Sequence, residues 1–188
     1  REKLKDYHPD KVRREWIPKP GKSEKRPLGI PTISDRIVQE CVRHVIEPIA
    51  EGQFFEHSYG FRPMRSADMA IARIKRLNFT AKCYWVVEGD IKGFFDNIDH
   101  NVMIESLWQI GIRDKRVLCI IKQMLKAGIM NECGISELGT PQGGIISPLL
   151  ANIYLNRFDN FITGDFERKQ LRKPHTRRDG ELQENIAI

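Results

Sequence analysis

Residues Val86–His100 read VVEGDIKGFFDNIDH: a short apolar run, an aspartate, a glycine, two phenylalanines and two further aspartates. The segment CYWVVEGDI that includes this run is rich in β-branched and aromatic side chains, which predicts a buried strand. Asp90 would then lie where the strand meets solvent, from where a carboxylate can bind Mg²⁺ together with water and phosphate oxygens. The alternative is that Asp90 caps a turn and that Asp96 and Asp99 are solvated surface acids.

The composition indicates a folded, basic domain. The chain has 188 residues, is 40% hydrophobic and carries a net charge of +6, which excludes global disorder and favours a polyanionic partner. Four widely spaced cysteines predict buried thiols rather than a metal site. The sequence has no apolar run of membrane-spanning length and does not open like a signal peptide. We therefore expect a cytoplasmic protein, in a bacterial cytosol, with no membrane partner.

The pattern along the chain predicts an α+β fold. Four prolines and two glycines in Trp16–Thr32 favour a hairpin with a basic tip. Apolar spacing and capping residues predict helices after Ser34, after Ser66, within His100–Ile110, from Asp114 to Ala127, and over residues 149–162. The first helix has an expected core face of seven residues: Ile37, Val38, Cys41, Val42, Val45, Ile46 and Ile49. The segment IMNECGISEL, residues 129–138, resembles two short strands.

Three further features are candidates for chemistry. A phenylalanine after the Asp-Ile-Lys-Gly turn is either core packing or a ring beneath a nucleotide sugar, where it would exclude a 2′-hydroxyl. Lys19 and Arg26 flank the hairpin tip and are either solvated or able to close over a triphosphate. The loop Thr140–Gly144, TPQGG, is either a simple turn or a place where backbone approaches a ligand, because its glycines carry no side chain.

Four segments, in this order, resemble the reverse transcriptase family, specifically the enzymes encoded by bacterial and organellar group II introns. They are IPKPGKSEKRPLGIPTISDRIVQE, FEHSYGFRPMRSADMAI, VVEGDIKGFFDNIDH and GTPQGGIISPLLANIYLNRFD, and they cover most of residues 16–160. The resemblance implies right-hand polymerase fingers with a partial palm, mostly helical with short antiparallel strands. The fingers would occupy residues 1–80 with the basic hairpin at 16–32, the partial palm 81–163, and a charged loop or tail 164–188.

The resemblance also implies functions for individual residues. Asp90 matches a catalytic, metal-binding aspartate, with the backbone carbonyl of Ile91 as a further ligand, in a site for two Mg²⁺ ions that Mn²⁺ can replace. The implied dNTP-binding residues are Lys19, Arg26, Gln142 and Phe95, which checks the sugar, with Phe94 as its rival. The implied template-binding residues are Tyr59, Arg62, Pro27 and Gly29. The implied partners are intron RNA, an RNA template with a DNA primer, and dNTPs.

One family feature is missing. Reverse transcriptases carry a Tyr-x-Asp-Asp strand after the PQGG segment, whereas the nearest acids here, Asp165 and Asp179, lie in unrelated sequence. We expect the parent protein to copy RNA into DNA and to assist intron splicing and mobility, and this chain to be inactive alone. The alternatives are a non-catalytic intron RNA-binding module and a retron, diversity-generating or CRISPR-linked reverse transcriptase. An uncovered palm surface would leave an apolar patch, so a homodimer stays open.

Overall fold

The computed structural model describes residues 7–18, 21, 23, 25–127, 130, 139 and 143–164, without the side chain of Arg26. The elements in chain order are β1 (Arg13–Pro18), β2 (Lys25–Ile30), α1 (Ile33–Glu51), α2 (Ala67–Ala81), a 3₁₀ turn (Phe94–Asn97), α3 (His100–Gln109), α4 (Lys115–Lys126) and α5 (Ser147–Ile162). The predicted class, mostly helical with short antiparallel strands, is confirmed. The predicted strands at 129–138, except for Met130, and the predicted tail beyond Gly164 lie outside the described residues.

The chain forms two compact units. The first contains the described residues up to Gln53 together with Lys92–Tyr154, and the second contains Phe54–Ile91 and the described residues from Leu155 onward. In the first unit, apolar side chains from α1, α3, α4 and α5 are buried, among them Ile46, Met103, Ile121 and Leu150. In the described part of the second unit, the buried residues are polar, namely Arg62 and Asn156. The hydrophobic core therefore belongs to the first unit.

The predicted hairpin is present in the first unit. Strands β1 and β2 pair antiparallel, from Arg13 opposite Ile30 to Pro18 opposite Lys25. Pro27 cannot donate a backbone hydrogen bond, which a two-stranded sheet tolerates because both of its strands are edges. The hairpin leads through Pro31 into α1, whose N-cap is Thr32 and not the predicted Ser34. The Thr32 hydroxyl accepts a hydrogen bond from the amide of Asp35 at 3.3 Å.

The buried face of α1 differs from the predicted one. Val42 and Ile46 are buried as expected, whereas Ile37 and Val45 are each 61% exposed, and Cys41 and Ile49 are exposed as well. The buried stripe is instead completed by Asp35, Gln39 and Ala50. The apolar residues of this helix extend over more than one face, and polar partners elsewhere in the unit make burial of the two polar side chains tolerable.

Helices α2 and α4 begin at the caps that the sequence indicates. Ser66 accepts from the amide of Met69 at the start of α2, and Asp114 accepts from the amide of Arg116 at the start of α4. Hydrogen bonds from the side chain and the amide of Arg116, together with its positive charge, lower the pKa of Asp114 to about 2. Helix α5 begins two residues before the predicted start.

No described helix is both long and apolar enough to span a bilayer. The prediction of buried thiols is wrong for Cys41 and Cys119, which are exposed.

The strand predicted at CYWVVEGDI is wrong. Residues 82–91 have no regular secondary structure, and all of their side chains except that of Cys83 are exposed, with Trp85 at 86% and Val87 at 98%. A strand is stable only beside a hydrogen-bonding neighbour. In the described ranges, β1 and β2 pair with each other and no third strand accompanies this segment. Within the described ranges, this segment therefore has the composition of a strand but no strand beside it.

Candidate functional site

Asp90 lies in the exposed coil of the second unit. The Asp90 side chain is exposed to solvent, and Ile91 is 56% exposed. A carboxylate and a backbone carbonyl are oxygen ligands of the type that Mg²⁺ prefers. Among the described residues, however, no group of three or more histidine, cysteine or acidic side chains is arranged to hold a metal. The donor chemistry at Asp90 fits Mg²⁺, and the described residues supply only part of a ligand set.

The 3₁₀ turn after Asp90's segment belongs to the first unit. Gly93 adopts φ +62°, its carbonyl accepts from the side-chain amide of Asn97 at 2.8 Å, and these features fix the turn. Phe94 and Phe95 are half-buried with ring centroids 5.4 Å apart, edge to face. The Phe94 ring also packs edge-on against Tyr154 of α5 at 6.0 Å. Phe94 is therefore the ring with the additional described aromatic contact.

Asp99 has a structural task at the start of α3. It caps α3 by accepting hydrogen bonds from the amides of Val102 and Asn101 at 3.0 and 2.7 Å, and these bonds hold the pKa of its carboxyl below the usual value. Asp96 lies exposed in the 3₁₀ turn. The three aspartates of the opening stretch thus occupy a coil, a turn and a helix cap.

The glycine-rich loop, residues 139–144, is described at both of its ends. At its start, the Gly139 amide donates to the Ile98 carbonyl at 2.8 Å, and the His100 ring donates to the Gly139 carbonyl at 2.6 Å. Gly139 adopts φ +88°, and a side-chain Cβ there would lie 3.2 Å from the Asp96 carbonyl oxygen. The start of the loop is therefore packed against the backbone of the 3₁₀ turn.

The other end of the loop is packed against the hairpin and α1. At Gly143, φ is +115°, and a Cβ would lie 2.6 Å from the Gly29 carbonyl oxygen and 2.9 Å from the Leu28 side chain. At Gly144, a Cβ would lie 3.1 Å from the Gln39 side chain, which accepts from the Ile145 amide at 2.9 Å. The missing side chains of both glycines thus permit close packing within this unit.

Replacing Gly143 should destabilise the first unit. Gly143→Ala combines a left-handed backbone conformation with a steric clash against backbone atoms, and we expect a loss of about 3 kcal/mol in the free energy of unfolding. Gly60→Ala is the matched control, because an added Cβ there meets no atom within 4 Å and φ is not positive. Urea denaturation of both variants measures the difference. Equal stabilities would contradict the close approach of this loop to β2.

The predicted dNTP-binding residues of the hairpin are only partly described. Lys19 follows the last residue of β1 and lies outside the described residues, as does Gln142 in the glycine-rich loop. Arg26 is placed by its backbone in β2, opposite Ile17. Binding of a dNTP by Lys19, Arg26 and Gln142 therefore stays a prediction. The structure does bring the β2 segment with Pro27 and Gly29 to the same unit as the 3₁₀ turn and the ends of the glycine-rich loop.

The predicted template contacts at Tyr59 and Arg62 belong to the second unit. Arg62 is buried, and its Nη1 donates to the carbonyls of Phe55 and Ser58 at 2.8 and 2.9 Å. The half-buried Tyr59 ring lies beside His57 and beneath the guanidinium of Arg65, 5.6 Å from its centroid. Arg62 thus stabilises the turn around it, while Tyr59 presents an aromatic ring with a cation over it. Contact with a template stays a prediction for both.

Three polar residues in the buried part of the first unit were missed by the sequence reasoning. Asp35 accepts hydrogen bonds from the hydroxyls of Tyr7 and Thr32 at 2.6 and 2.7 Å, and burial together with Asp35 raises the pKa of Tyr7 above its usual value. Gln39 holds the amide of Ile145, and His100 holds Gly139. Asp35 and Gln39 lie on the same face of α1 as Val42 and Ile46, at helical spacing. This spacing is the sequence signal that could have predicted the burial of Asp35 and Gln39.

Comparisons with known proteins give consistent results. The family described as reverse transcriptase (RNA-dependent DNA polymerase) matches residues 17–175. The group II intron-encoded protein LtrA of Lactococcus lactis subsp. cremoris is 48% identical over 163 residues, which are 85% of this chain and 27% of that protein. Protein YkfC of Escherichia coli K12 is 40% identical over 174 residues, 89% of this chain and 45% of that protein. This chain therefore spans between about a quarter and a half of these relatives.

A solved structure also resembles this fold. A chain of a partial Cas6-RT-Cas1–Cas2 complex superimposes with a TM-score of 0.54 and 28% sequence identity. The match covers 87% of the present chain and 28% of the solved chain.

Proposed function

This chain belongs to the reverse transcriptase family, and from that premise we propose that the full-length protein is an RNA-directed DNA polymerase of the group II intron type. The observation that carries the proposal is the assembly of three family segments in one unit. Gly139, at the start of the glycine-rich loop, lies against the 3₁₀ turn with Phe94 and Phe95. At the end of the loop, Gly143 lies against β2, and Gly144 and Ile145 contact Gln39 of α1. In this proposal the unit forms the dNTP pocket.

The residues of the pocket have separate tasks. Phe95 lies beneath the sugar and excludes a 2′-hydroxyl. We choose Phe95 for this task because the Phe94 ring already packs edge-on against Tyr154. Gln142, in the glycine-rich loop, would bind the nucleotide, and Lys19 and Arg26 would bind its triphosphate. Residues 1–80 serve as fingers, 81–163 as part of the palm, and 164–188 as a loop or tail.

Asp90 and the Ile91 carbonyl would hold Mg²⁺, with Mn²⁺ as a substitute. A divalent cation at this place, paired with a second ion, supplies charge neutralisation for nucleotidyl transfer. The exposure of Asp90 supports access by a hydrated cation and a triphosphate. Asp90 is then a ligand within a larger set, because one carboxylate and one carbonyl do not fill the coordination shell of Mg²⁺.

The partners in this proposal are a structured intron RNA, an RNA template with a DNA primer, and dNTPs. A net charge of +6 supports binding to a polyanion, and the Tyr59 ring with Arg65 over it supports stacking with an unpaired base. Arg62, Pro27 and Gly29 would support the template backbone. The identity to a protein named as group II intron-encoded favours the intron type over retron, diversity-generating and CRISPR-linked enzymes. We place the protein in the bacterial cytoplasm, with splicing and mobility of its intron as its tasks and self-association open.

Primer extension tests the proposal. Full-length protein supplied with a DNA primer on an RNA template, dNTPs and Mg²⁺ should synthesise DNA, EDTA should stop synthesis, and Mn²⁺ should restore part of it. The present chain alone, which lacks a Tyr-x-Asp-Asp sequence, should give no product under the same conditions. Tight RNA binding by the full-length protein without any extension would contradict the proposal.

A second candidate is a non-catalytic module that binds intron RNA. The observation in its favour is the incomplete ligand set around Asp90 in the described residues. In that case the fold would bind RNA through its basic surface, and the 3₁₀ turn and the glycine-rich loop would be scaffold. The primer-extension experiment separates the two candidates, because only the polymerase depends on a divalent cation for its product.

A further inference from the structure

We propose that His100 is a positioning residue that fixes the start of the glycine-rich loop against the 3₁₀ turn, and thereby sets dNTP affinity and sugar discrimination. The inference rests on the proposed function, since it assigns a task within the dNTP pocket. His100 is neither among the residues predicted from the sequence nor placed to contact a nucleotide directly, because it is only 1% exposed. Its effect would be exerted through Gly139.

The hydrogen bond from His100 to Gly139 defines the state of the ring. Its Nε2 lies 2.6 Å from the Gly139 carbonyl oxygen, and a carbonyl can only accept, so Nε2 carries the proton. The other ring nitrogen, Nδ1, is buried and has no hydrogen-bond partner among the described residues. The Gly139 carbonyl is therefore the one described hydrogen-bond partner of this side chain.

Burial of a histidine with one bare nitrogen is unfavourable, and local structure does not require it here. His100 is the first residue of α3, but the cap is provided by the preceding Asp99. A buried apolar side chain would fill the same space without leaving a polar atom unpaired. The hydrogen bond to Gly139 is the contact that distinguishes histidine from an apolar residue at this position.

Gly139 transmits the position of His100 to the pocket. Its amide donates to Ile98, and its α-carbon lies against the 3₁₀ turn so closely that a Cβ would be 3.2 Å from the Asp96 oxygen and 3.4 Å from the Phe95 oxygen. Gly139 is also three residues before Gln142. A shift of Gly139 therefore changes the support beneath Phe95 and the origin of the segment that carries Gln142.

Two substitutions separate the hydrogen bond from simple filling of space. In His100→Gln, the terminal amide can occupy the position of Nε2 and still donate to Gly139, whereas in His100→Asn the shorter amide reaches only the position of Nδ1. In the full-length protein we expect His100→Asn to raise the KM for dNTP about five- to tenfold and to lower discrimination against rNTP by a similar factor. The kcat with dNTP should stay within about twofold, and His100→Gln should restore both properties.

Ser106→Ala is the matched control for a general loss of stability. Ser106 is buried in the same helix and donates to the Val102 carbonyl at 2.7 Å, but it makes no described hydrogen bond to the loop. Its substitution should leave the KM and the sugar discrimination unchanged. If His100→Asn behaves like Ser106→Ala, or if His100→Gln fails to differ from His100→Asn, the inference is overturned.

A measurement on the wild-type chain keeps the inference testable even if His100→Asn does not fold. Nitrogen-15 NMR of the His100 ring should show a proton on Nε2, protected from exchange, and a bare Nδ1. A proton on Nδ1 alone would overturn the inference. Absence of DNA synthesis by the wild-type full-length protein would instead contradict the proposed function, so the two failures are distinguishable.

Discussion

Asp90→Ala should reduce DNA synthesis on an RNA template by about 1000-fold or more in the full-length protein. In the proposed site, the substitution removes a ligand of the ion that would neutralise charge in nucleotidyl transfer. A loss of about 4 kcal/mol of transition-state stabilisation corresponds to that factor. The exposed position of Asp90 in a coil predicts little change in stability. The rate of primer extension at saturating dNTP measures the effect.

The control for this substitution is Asp96→Ala. Asp96 is an exposed acid six residues later in the same stretch, so its replacement changes the net charge equally. It should retain extension within a few fold, and both variants should bind RNA as the wild type does, because binding depends on basic residues. Synthesis by Asp90→Ala at the rate of Asp96→Ala would remove Asp90 from the site.

Phe95→Ala should lower discrimination between dNTP and rNTP by a factor on the order of 10 to 100. Without the ring, nothing in the proposed pocket opposes a 2′-hydroxyl, and a steric contact of this kind supplies a few kcal/mol of selectivity. The ratio of kcat/KM for matched deoxy and ribo substrates measures the effect. Synthesis with dNTP should persist, since the ring takes no part in the chemistry.

Phe94→Ala is the companion variant. Its ring packs against Tyr154 and Phe95, so we expect a loss of stability with a smaller change in sugar preference. If Phe94→Ala changes the ratio and Phe95→Ala does not, the sugar-checking task belongs to Phe94. If neither changes it, the 3₁₀ turn does not contact the sugar.

The elements that sequence predicted well are those specified by local signals. Prolines and glycines in Trp16–Thr32 exclude a helix and favour the hairpin that the structure contains. Ser66 and Asp114 accept hydrogen bonds from the helix amides that follow them. Such signals act within four residues and need no knowledge of the rest of the fold. This locality explains why helix bounds agree to within about two residues.

The errors arise where burial depends on distant parts of the chain. Ile37 and Val45 have the spacing of a core face but are exposed, because the side of α1 that the unit covers also includes Asp35 and Gln39. Residues 82–91 have the composition of a strand, but the part of the chain that the structure describes contains no strand beside them. The spacing of apolar residues identifies the side chains that can be buried. Tertiary contacts determine which of those side chains are buried.

For the candidate site, the sequence supplied residues and their order as predictions, and it did not supply the contacts between segments. The family resemblance indicated Asp90, Phe95 and the glycine-rich loop. It gave no sign that Gly143 lies against β2 or that His100 holds Gly139, since both contacts join residues far apart in the chain. A histidine beside a helix cap has no distinctive sequence pattern, so its buried hydrogen bond became visible only in the structure.

The most direct test of the central claim is single-nucleotide incorporation on an RNA template by the full-length protein. Wild type, Asp90→Ala and Phe95→Ala are compared with matched deoxy and ribo substrates at equal RNA occupancy. We predict that Asp90→Ala loses incorporation of both sugars, whereas Phe95→Ala keeps incorporation of dNTP and gains that of rNTP. Wild-type rates in Asp90→Ala, with an unchanged sugar ratio in Phe95→Ala, would contradict the assignment of this chain to the catalytic and dNTP-binding part of a reverse transcriptase.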